Sequence, residues 1–320
     1  MKRVLLWKES VIMEGKKVDA ILSDYDGTLC PTTSLRDKNS YGAGTIPQGL
    51  EQELFRISEH IPICIISSKD YTFLHKRARF AKILSCVLGI ETIVHKPHYI
   101  DEPQNYGCIR CQHLITSSHS LMANSKLLNN VVEVLQNHNY RDIMIERKYT
   151  SNKENLIGLT IDYRHLDNWH SFKENKEPGL EEIIKKSINA NLAPNLSAKD
   201  RPFIQKYSSH PFLDVYGVEC NKGLAFNSVL SNLEEEKERR TENIMYLGDS
   251  ENDNPAFRKS DISIGIRSDT RINPLLDCKY MLDFKQLPMF LRSLMNNNYT
   301  TLYQVLLSLD IGHILNVKVL

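Results

Sequence analysis

The sequence predicts an α/β protein: a Rossmann-like, doubly wound parallel sheet with a smaller α+β domain inserted into it. Near both ends of the chain, short apolar runs stop at polar or glycine residues and are followed by segments with helical spacing. This alternation is the repeat of a parallel sheet with helices on its faces. Between the two stretches lies a block with hairpin-like strand order, which predicts the inserted domain.

The first predicted strand is the apolar run 20–22, which leads into Asp24, Asp26, Gly27 and Thr28. Because side chains alternate along a strand, the two carboxylates should share a face just past its end. That edge is where open α/β sheets bind ligands. Two adjacent carboxylates repel each other unless a cation lies between them or one is protonated, and an oxygen-rich site of this kind suits Mg²⁺. Taken alone, the pattern also fits two solvated aspartates in a turn.

The next strand and its flanking helices repeat the pattern. Helical spacing over 49–59 precedes the continuous apolar run 61–66, which is typical of a strand buried on both faces. The strand ends at Ser67 and Ser68, before a predicted helix over 71–82. A hydroxyl in this position can hold a phosphate oxygen near the helix N-terminus. The alternative is that the serines only cap the helix.

The remaining segments follow from the same signals. We predict a strand over 87–94 and irregular structure over 95–113, which contains Cys108 and Cys111. The inserted block is predicted to contain helices over 118–137 and 179–190, and strands over 142–147, 156–163, 203–207 and 212–215. The alternation then resumes with a helix over 221–233, strands over 243–247, 262–266 and 280–282, and a helix over 287–295.

These segments divide the chain into four parts. Residues 1–114 form the first part of the core domain, with an N-terminal extension over 1–17. Residues 115–214 form the α+β domain, 215–296 complete the core, and 297–320 are an apolar C-terminal tail that could dock on the core or on a partner, such as a second copy of the chain. The Cys108–Cys111 pair could hold zinc, form a disulfide or stay reduced, and the sequence leaves these open.

Composition excludes several classes of protein. The chain has 320 residues, 41% hydrophobic and 25% charged, with a net charge of +1. So small a net charge does not favour nucleic acid or an anionic membrane as a partner. No apolar run approaches the roughly 20 residues that span a bilayer, and the N-terminus is a poor signal peptide. We therefore expect a cytoplasmic protein.

Four sites at strand or helix ends together supply what phosphoryl transfer needs. They are Asp24 with Asp26, Ser67, Lys222 at the start of a helix, and Asp249 with Asp253 after the strand 243–247. A carboxylate can attack phosphorus, a second can carry the proton of the leaving group, and cations can neutralise the phosphoryl oxygens. Each site alone has a simpler interpretation as a turn, a cap or a surface lysine. Their occurrence together and in this order favours a single site.

This set of motifs resembles that of the haloacid dehalogenase superfamily of phosphatases over residues 18–295. The resemblance implies that Asp24 is the nucleophile and forms an aspartyl-phosphate, and that Asp26 is the general acid and base. It also implies that Ser67 and Lys222, with Thr28 and Ser68 beside them, bind the phosphoryl group. Mg²⁺ would lie on Asp24, the backbone carbonyl of Asp26 and Asp249, with Asp253 close behind or binding through water.

The insertion between the second and third motifs resembles the type 2 cap of this superfamily. Residues 146–148 and 158–164 are similar to cap strands of trehalose-6-phosphate phosphatases, which implies a phosphorylated sugar as substrate. Lys148 and Arg164 would then bind sugar hydroxyls or a second anionic group, unless they are solvent-facing strand residues. The segment Ser67-Ser68-Lys69 departs from that family and is more like mannosyl-3-phosphoglycerate phosphatases. Another small-molecule phosphatase, a phosphomutase, or a non-catalytic binding protein on the same fold are the remaining hypotheses.

Overall fold

A computed structural model describes most of the chain. The described residues are 17–31, 44–95, 109–138, 140, 143–192, 196–207, 210–238, 240–267 and 275–296. The predictions for the N-terminal extension up to residue 16, for the tail 297–320 and for Cys108 lie outside these residues. For Cys111, the structure describes only a backbone position in a strand.

The described residues form two sheets. The strands of the larger sheet are β1 (Ala20–Ser23), β2 (Ile63–Ile66), β3 (Ile83–Cys86), β4 (Glu91–His95) and β5 (Ile109–Leu114). The smaller sheet, described below, has β6 (Met144–Tyr149), β7 (Leu156–Asp162), β8 (Phe203–Lys206) and β9 (Phe212–Tyr216). Three more strands of the larger sheet follow: β10 (Ile244–Gly248), β11 (Ile262–Arg267) and β12 (Tyr280–Asp283). The larger sheet has the order β12-β11-β10-β1-β2-β3-β4-β5 and is parallel from β12 to β3.

The register of the central strands brings their carboxyl ends to one edge. Ser23 at the end of β1 lies opposite Leu247 of β10 on one side and Ile65 of β2 on the other. The residues that follow these three strands therefore emerge side by side, as expected at the ligand-binding edge of an open α/β sheet.

Helices cover both faces of this sheet. In chain order, the helices of both units are α1 (Gln48–Ser58), α2 (Tyr71–Leu74), α3 (Ser118–Asn137), α4 (Trp169–Asn175), α5 (Glu177–Asn191), α6 (Lys222–Lys237), α7 (Asn254–Phe257) and α8 (Leu287–Asn296), of which α3, α4 and α5 belong to the smaller sheet. Ile21 of β1 packs in one apolar cluster with α1 and α8, whereas Ala20 and Leu22 pack in another with α6. Neighbouring side chains of β1 thus point to opposite faces, and both faces are buried.

The smaller sheet is antiparallel, with the order β6-β7-β9-β8. Apolar residues of its strands pack against helices α3, α4 and α5 in a third cluster. Of these helices, the sequence did not predict α4. This unit leaves the main sheet after β5 and returns to it before α6, so the predicted fold class, a Rossmann-like core with an inserted α+β unit, is confirmed. The exact domain boundaries remain predictions.

The helix predicted over 71–82 was too long. It ends at Leu74, and the backbone N–H groups of Arg77 and Ala78 both donate to the Leu74 carbonyl in tight turns. Ala78 is buried, and Lys82 already donates its backbone N–H to the Ile63 carbonyl at 2.7 Å. Because β3 begins at Ile83, directly after Lys82, the helix cannot extend to residue 82.

The strand predicted over 87–94 and the irregular segment predicted after it were also wrong in detail. The chain reverses at Val87–Gly89, so β4 begins only at Glu91 and runs antiparallel to β3. Residues 109–114 form β5, which pairs with β4 and extends the sheet. The apolar residues of 87–90 are buried, but they are buried in a turn.

Candidate active site

Asp24 and the turn after it lie at the carboxyl edge of the main sheet. The backbone N–H of Asp24 donates to the Leu247 carbonyl at 2.9 Å, which fixes the end of β1 against β10. Gly27 has a φ of 84°, and a Cβ at this position would lie 1.9 Å from Asp249 Oδ2. Only glycine fits both the conformation and the space. The turn then lets the Thr28 hydroxyl donate to Asp249 Oδ1 at 3.1 Å.

Lys222 reaches the same pocket from the first turn of α6. The Asn221 side chain caps this helix by accepting the backbone N–H groups of Gly223 and Leu224 at 2.9 Å each. The Lys222 ammonium lies 3.0 Å from Asp24 Oδ2 and 2.7 Å from Asp253 Oδ1, and only 2% of the residue is exposed. One buried cation therefore joins two of the predicted sites.

Asp253 organises the loop after β10. Its Oδ2 accepts the backbone N–H groups of Asp249 and Ser250 and the Ser250 hydroxyl, at 3.0 to 3.1 Å. Its Oδ1 accepts from Lys222 and from the Tyr246 hydroxyl, both at 2.7 Å. Both oxygens of this fully buried carboxylate are thus engaged. Asp253 positions Lys222 and Asp249, and Tyr246 is a member of the site that the sequence did not indicate.

Two carboxyl groups of the site, those of Asp24 and Asp249, have raised pKa values. Burial raises the pKa of Asp24 to about 7; Lys222 opposes the shift, while Asp253 and Asp26 add to it. Burial, with Asp24 and Asp253, also raises the pKa of Asp249 well above its usual range. Burial would lower the pKa of Lys222, but the charges of Asp24 and Asp253 outweigh it and the pKa is raised. The pocket holds more negative charge than one ammonium can balance.

This donor set fits a divalent cation. Carboxylate oxygens of Asp24, Asp249 and Asp253 all lie within 4.8 Å of one another. Asp253 is committed to its hydrogen bonds, so Asp24 and Asp249 are the carboxylates that can coordinate directly. Asp26 Oδ1 is buried and has no hydrogen-bond partner among the described residues. Hard oxygen ligands without sulfur or imidazole are the set that Mg²⁺ prefers.

Ser67 lies at the end of β2, beside Asp24 in the sheet order. The residue is 1% exposed, its backbone N–H donates to the Ser85 carbonyl, and its Oγ accepts the backbone N–H of Lys69 at 3.2 Å. Ser68 is half-buried in the same turn. The serine hydroxyl proton can still be donated to a ligand, because Oγ acts only as an acceptor in this contact.

Lys148 and Arg164 are engaged within the smaller sheet. The Lys148 ammonium lies 3.6 Å from Asp214 Oδ1 and over the ring of Tyr216, and the residue is 2% exposed. Arg164 Nε lies 2.6 Å from Asp162 Oδ2. Both cations therefore have a carboxylate partner in their own unit. The predicted contact with substrate remains a prediction for both.

The smaller sheet docks on the core through contacts that the sequence did not indicate. The Lys69 ammonium donates to both carboxylate oxygens of Glu146 at 3.0 Å. Burial would lower the pKa of Lys69, but the charges of Asp26 and Glu146 raise it above its usual value. At the start of β4, Glu91 accepts the backbone N–H of Ser151 at 3.0 Å and its hydroxyl at 2.7 Å. Lys69 thus connects the inserted unit to the surroundings of Asp26.

The fold and the pocket define an α/β protein with an inserted cap-like unit and an acidic site at the carboxyl edge of its sheet. Residues 92–271 match the family model described as haloacid dehalogenase-like hydrolase. Because this match spans more than half of the chain, the protein belongs to the haloacid dehalogenase-like hydrolases. The predictions of this family and of a hydrolytic enzyme are confirmed. The matched range includes Lys222, Asp249 and Asp253 but begins after Asp24 and Ser67.

Solved structures share the fold. A trehalose-6-phosphate phosphatase related protein is 15% identical, with a TM-score of 0.56, over 88% of this chain and 98% of that one. The C-terminal domain of trehalose-6-phosphate phosphatase from C. albicans is 17% identical, with a TM-score of 0.58, over 88% and 93%. A haloacid dehalogenase-like hydrolase from Bacteroides thetaiotaomicron is 14% identical, with a TM-score of 0.54, over 86% and 99%. At these identities the likeness shows a common fold.

No curated protein gives a match to the chain. Among the helices of the described residues, none combines the length and the apolar character that crossing a membrane requires.

Proposed function

We propose that this protein is a Mg²⁺-dependent phosphatase that hydrolyses a phosphorylated sugar through an aspartyl-phosphate intermediate. The observation that carries the proposal is the placement of Lys222 between Asp24 and Asp253, with Asp249 beside them at the edge of the sheet. This is a constellation that can bind a phosphoryl group and also attack it.

The reaction has two steps. The Asp24 carboxylate attacks phosphorus, the bond to the sugar oxygen breaks, and Asp26 gives that oxygen its proton. Asp26 then takes a proton from water, whose oxygen attacks the same phosphorus, and the bond to Asp24 breaks to release phosphate. The Asp26 Oδ1 atom suits this role because it is buried and has no hydrogen bond within the described residues. Each step leaves Asp24 and Asp26 ready for the next.

Other side chains bind and orient the phosphoryl group. The Lys222 ammonium supplies positive charge 3.0 Å from Asp24 Oδ2, beside the attacking carboxylate. The Ser67 hydroxyl, together with Thr28 and Ser68, supplies donors for phosphoryl oxygens. Asp253 touches neither reactant in this scheme; it holds Lys222 and the loop that carries Asp249.

Asp24, Asp249 and the backbone carbonyl of Asp26 would hold the Mg²⁺ ion. When bound, the ion neutralises charge on the phosphoryl oxygens as it builds up during transfer. Burial raises the pKa values of Asp24 and Asp249 although Lys222 opposes both shifts, and a bound cation would favour the ionised carboxylates.

The substrate class rests on the inserted unit. A unit that docks on the core through Lys69 and Glu146 can cover a leaving group larger than phosphate itself and exclude water during transfer. Two proteins that share the fold carry trehalose-6-phosphate phosphatase in their names. We therefore propose a phosphorylated sugar, with trehalose 6-phosphate as the first compound to test.

The test is release of inorganic phosphate from a panel of substrates, with Mg²⁺ and with a chelator. The panel contains trehalose 6-phosphate, hexose monophosphates and mannosyl-3-phosphoglycerate, and a product assay for transferred phosphate detects a mutase. Mg²⁺-dependent release from a sugar phosphate supports the proposal. A preference for mannosyl-3-phosphoglycerate would redirect the substrate assignment, and absence of release from every compound would contradict the proposed function.

A further inference from the structure

The turn Val87–Gly89 has a conformation that its residues do not favour. Its three residues have φ angles of 48°, 55° and 90°, all in the left-handed region. Glycine adopts this region easily, but leucine rarely does, and a β-branched valine there is a genuine outlier. All three residues are buried. Such strain persists only where the neighbouring structure enforces it, and it is concentrated at functional sites.

The turn holds the backbone of the Ser67 segment. The Val87 N–H donates to the Lys69 carbonyl at 3.0 Å, and the Leu88 N–H donates to the Ser67 carbonyl at 2.9 Å. The left-handed conformation lets two successive N–H groups face the same segment, as in a backbone nest. The position of the Ser67 hydroxyl therefore depends on this turn.

The same turn touches the helix that carries Lys222. A Cβ at Gly89 would lie 2.8 Å from Ala225 Cβ and 2.9 Å from Ala225 Cα. Ala225 lies in the first turn of α6, three residues after Lys222. No larger residue than glycine fits at this contact unless the helix moves. The turn thus fixes how closely the first turn of α6 approaches the Ser67 segment.

The smaller sheet closes the remaining side of the turn. A Cβ at Gly158 of β7 would lie 3.1 Å from Val87 Cγ1 and 3.2 Å from Tyr216 Cδ1. Gly158 therefore allows β7 to lie directly on the valine whose backbone is most strained. The docked position of the smaller sheet contributes to holding the valine in its left-handed conformation.

We propose that the turn Val87–Gly89 is a positioning element that sets Ser67 against Lys222, and that the inserted unit holds it in its strained conformation through Gly158. None of the three turn residues touches the reacting atoms in the scheme above. The position of the inserted unit would then affect the positions of Ser67 and Lys222 through the backbone of the turn. This inference rests on the proposed function, because it assigns the phosphate to Ser67 and Lys222.

Two substitutions perturb the contact between the turn and α6 from opposite sides. Gly89→Ala pushes the turn and the helix apart, and Ala225→Gly loosens their contact. Gly179→Ala, whose Cβ would meet nothing within 4 Å, and Ala123→Gly, half-buried in α3, are the matched controls. The measurements are affinity for inorganic phosphate by calorimetry with Mg²⁺, kcat and KM for the best sugar phosphate, and the melting temperature.

We expect Gly89→Ala and Ala225→Gly to weaken phosphate binding, and to lower kcat/KM by about tenfold to 100-fold, since small displacements of binding groups have effects of this size. The two controls should keep wild-type phosphate affinity and kcat/KM. A merely structural role would lower the melting temperature of folded variants without changing either quantity, and that result would overturn the inference. If Gly89→Ala does not fold, Ala225→Gly decides alone. A wild-type protein that hydrolyses none of the substrates would instead contradict the proposed function.

Discussion

Replacement of Asp24 by asparagine separates two effects of this side chain, its proposed role as nucleophile and its charge in the buried site. As the proposed nucleophile, Asp24 is needed for turnover, and an amide oxygen cannot replace the carboxylate in attack on phosphorus. As one of several carboxylates around Lys222, it also carries charge that the metal-free pocket disfavours. Asp24→Asn should therefore abolish activity and, in the absence of Mg²⁺, make the folded protein more stable.

The pKa of Asp24 gives the size of the second effect. Burial raises this pKa from 3.8 to about 7, against the opposing charge of Lys222. The folded state therefore binds the proton more tightly than the unfolded state, and wild-type stability falls as the pH rises through this window. At about 1.4 kcal/mol per pKa unit, the ionised carboxylate costs at most about 4 kcal/mol above pH 7. The asparagine side chain does not ionise, so Asp24→Asn should have a higher free energy of unfolding than wild type. The difference should grow from near zero at acidic pH to about 1–4 kcal/mol at about pH 8.

The assay compares wild type, Asp24→Asn and Asp277→Asn, an exposed aspartate paired with Arg258. Urea unfolding with a chelator at two pH values gives stability, and phosphate release with Mg²⁺ gives activity. We expect a loss in kcat of about 10⁴-fold or more for Asp24→Asn, as for other nucleophiles. Asp277→Asn should keep wild-type activity. Residual activity above one percent of wild type in Asp24→Asn, or lower stability at alkaline pH, would refute the reasoning.

Three further predictions follow from single contacts. Tyr246→Phe removes a hydrogen bond to buried Asp253 and should lower the free energy of unfolding by about 1–3 kcal/mol; unchanged urea unfolding would contradict it. Lys69→Met and Glu146→Gln should each lower kcat/KM, and the double variant should have the same kcat/KM as the less active of the two single variants, because each substitution already breaks the ion pair. If the double variant instead shows the sum of the two losses, the ion pair does not act as a unit. Mg²⁺ should raise the melting temperature more at about pH 8 than at about pH 5, because protons compete for Asp24; equal shifts in a thermal melt with and without chelator would argue against direct coordination.

The parts of the site that could be predicted from sequence are those encoded locally. Asp24 and Ser67 follow short apolar runs, and Lys222 follows a helix cap. A parallel sheet places the ends of neighbouring strands at one edge whatever their separation in sequence. The positions of these residues at strand and helix ends thus predict that they converge. The ion pair between Lys222 and Asp24 shows that these two residues, far apart in sequence, are in contact.

The parts that could not be predicted depend on partners far away in sequence. Lys148 has the character of a substrate-binding residue, but its partner Asp214 lies on a strand that β7 separates from its own. In the sequence, Tyr246 resembles an ordinary residue of a buried strand. Its role depends on the hydrogen bond that its hydroxyl donates to Asp253 in the folded protein. The β-branched Val87 favours a strand by propensity. Tertiary contacts on three sides enforce a left-handed turn instead, so the local signal predicted the wrong element.

The charge balance of the pocket also implies an order of binding. Asp24, Asp249 and Asp253 approach one another closely, and the Lys222 ammonium is in direct contact with two of them. Burial raises the pKa values of both Asp24 and Asp249 above their usual range. A phosphate ester brings further negative charge and would meet these carboxylates at close range. A divalent cation between the ionised carboxylates would offset their negative charge and give the phosphoryl oxygens a positive partner, so we expect the cation to bind before the phosphate group.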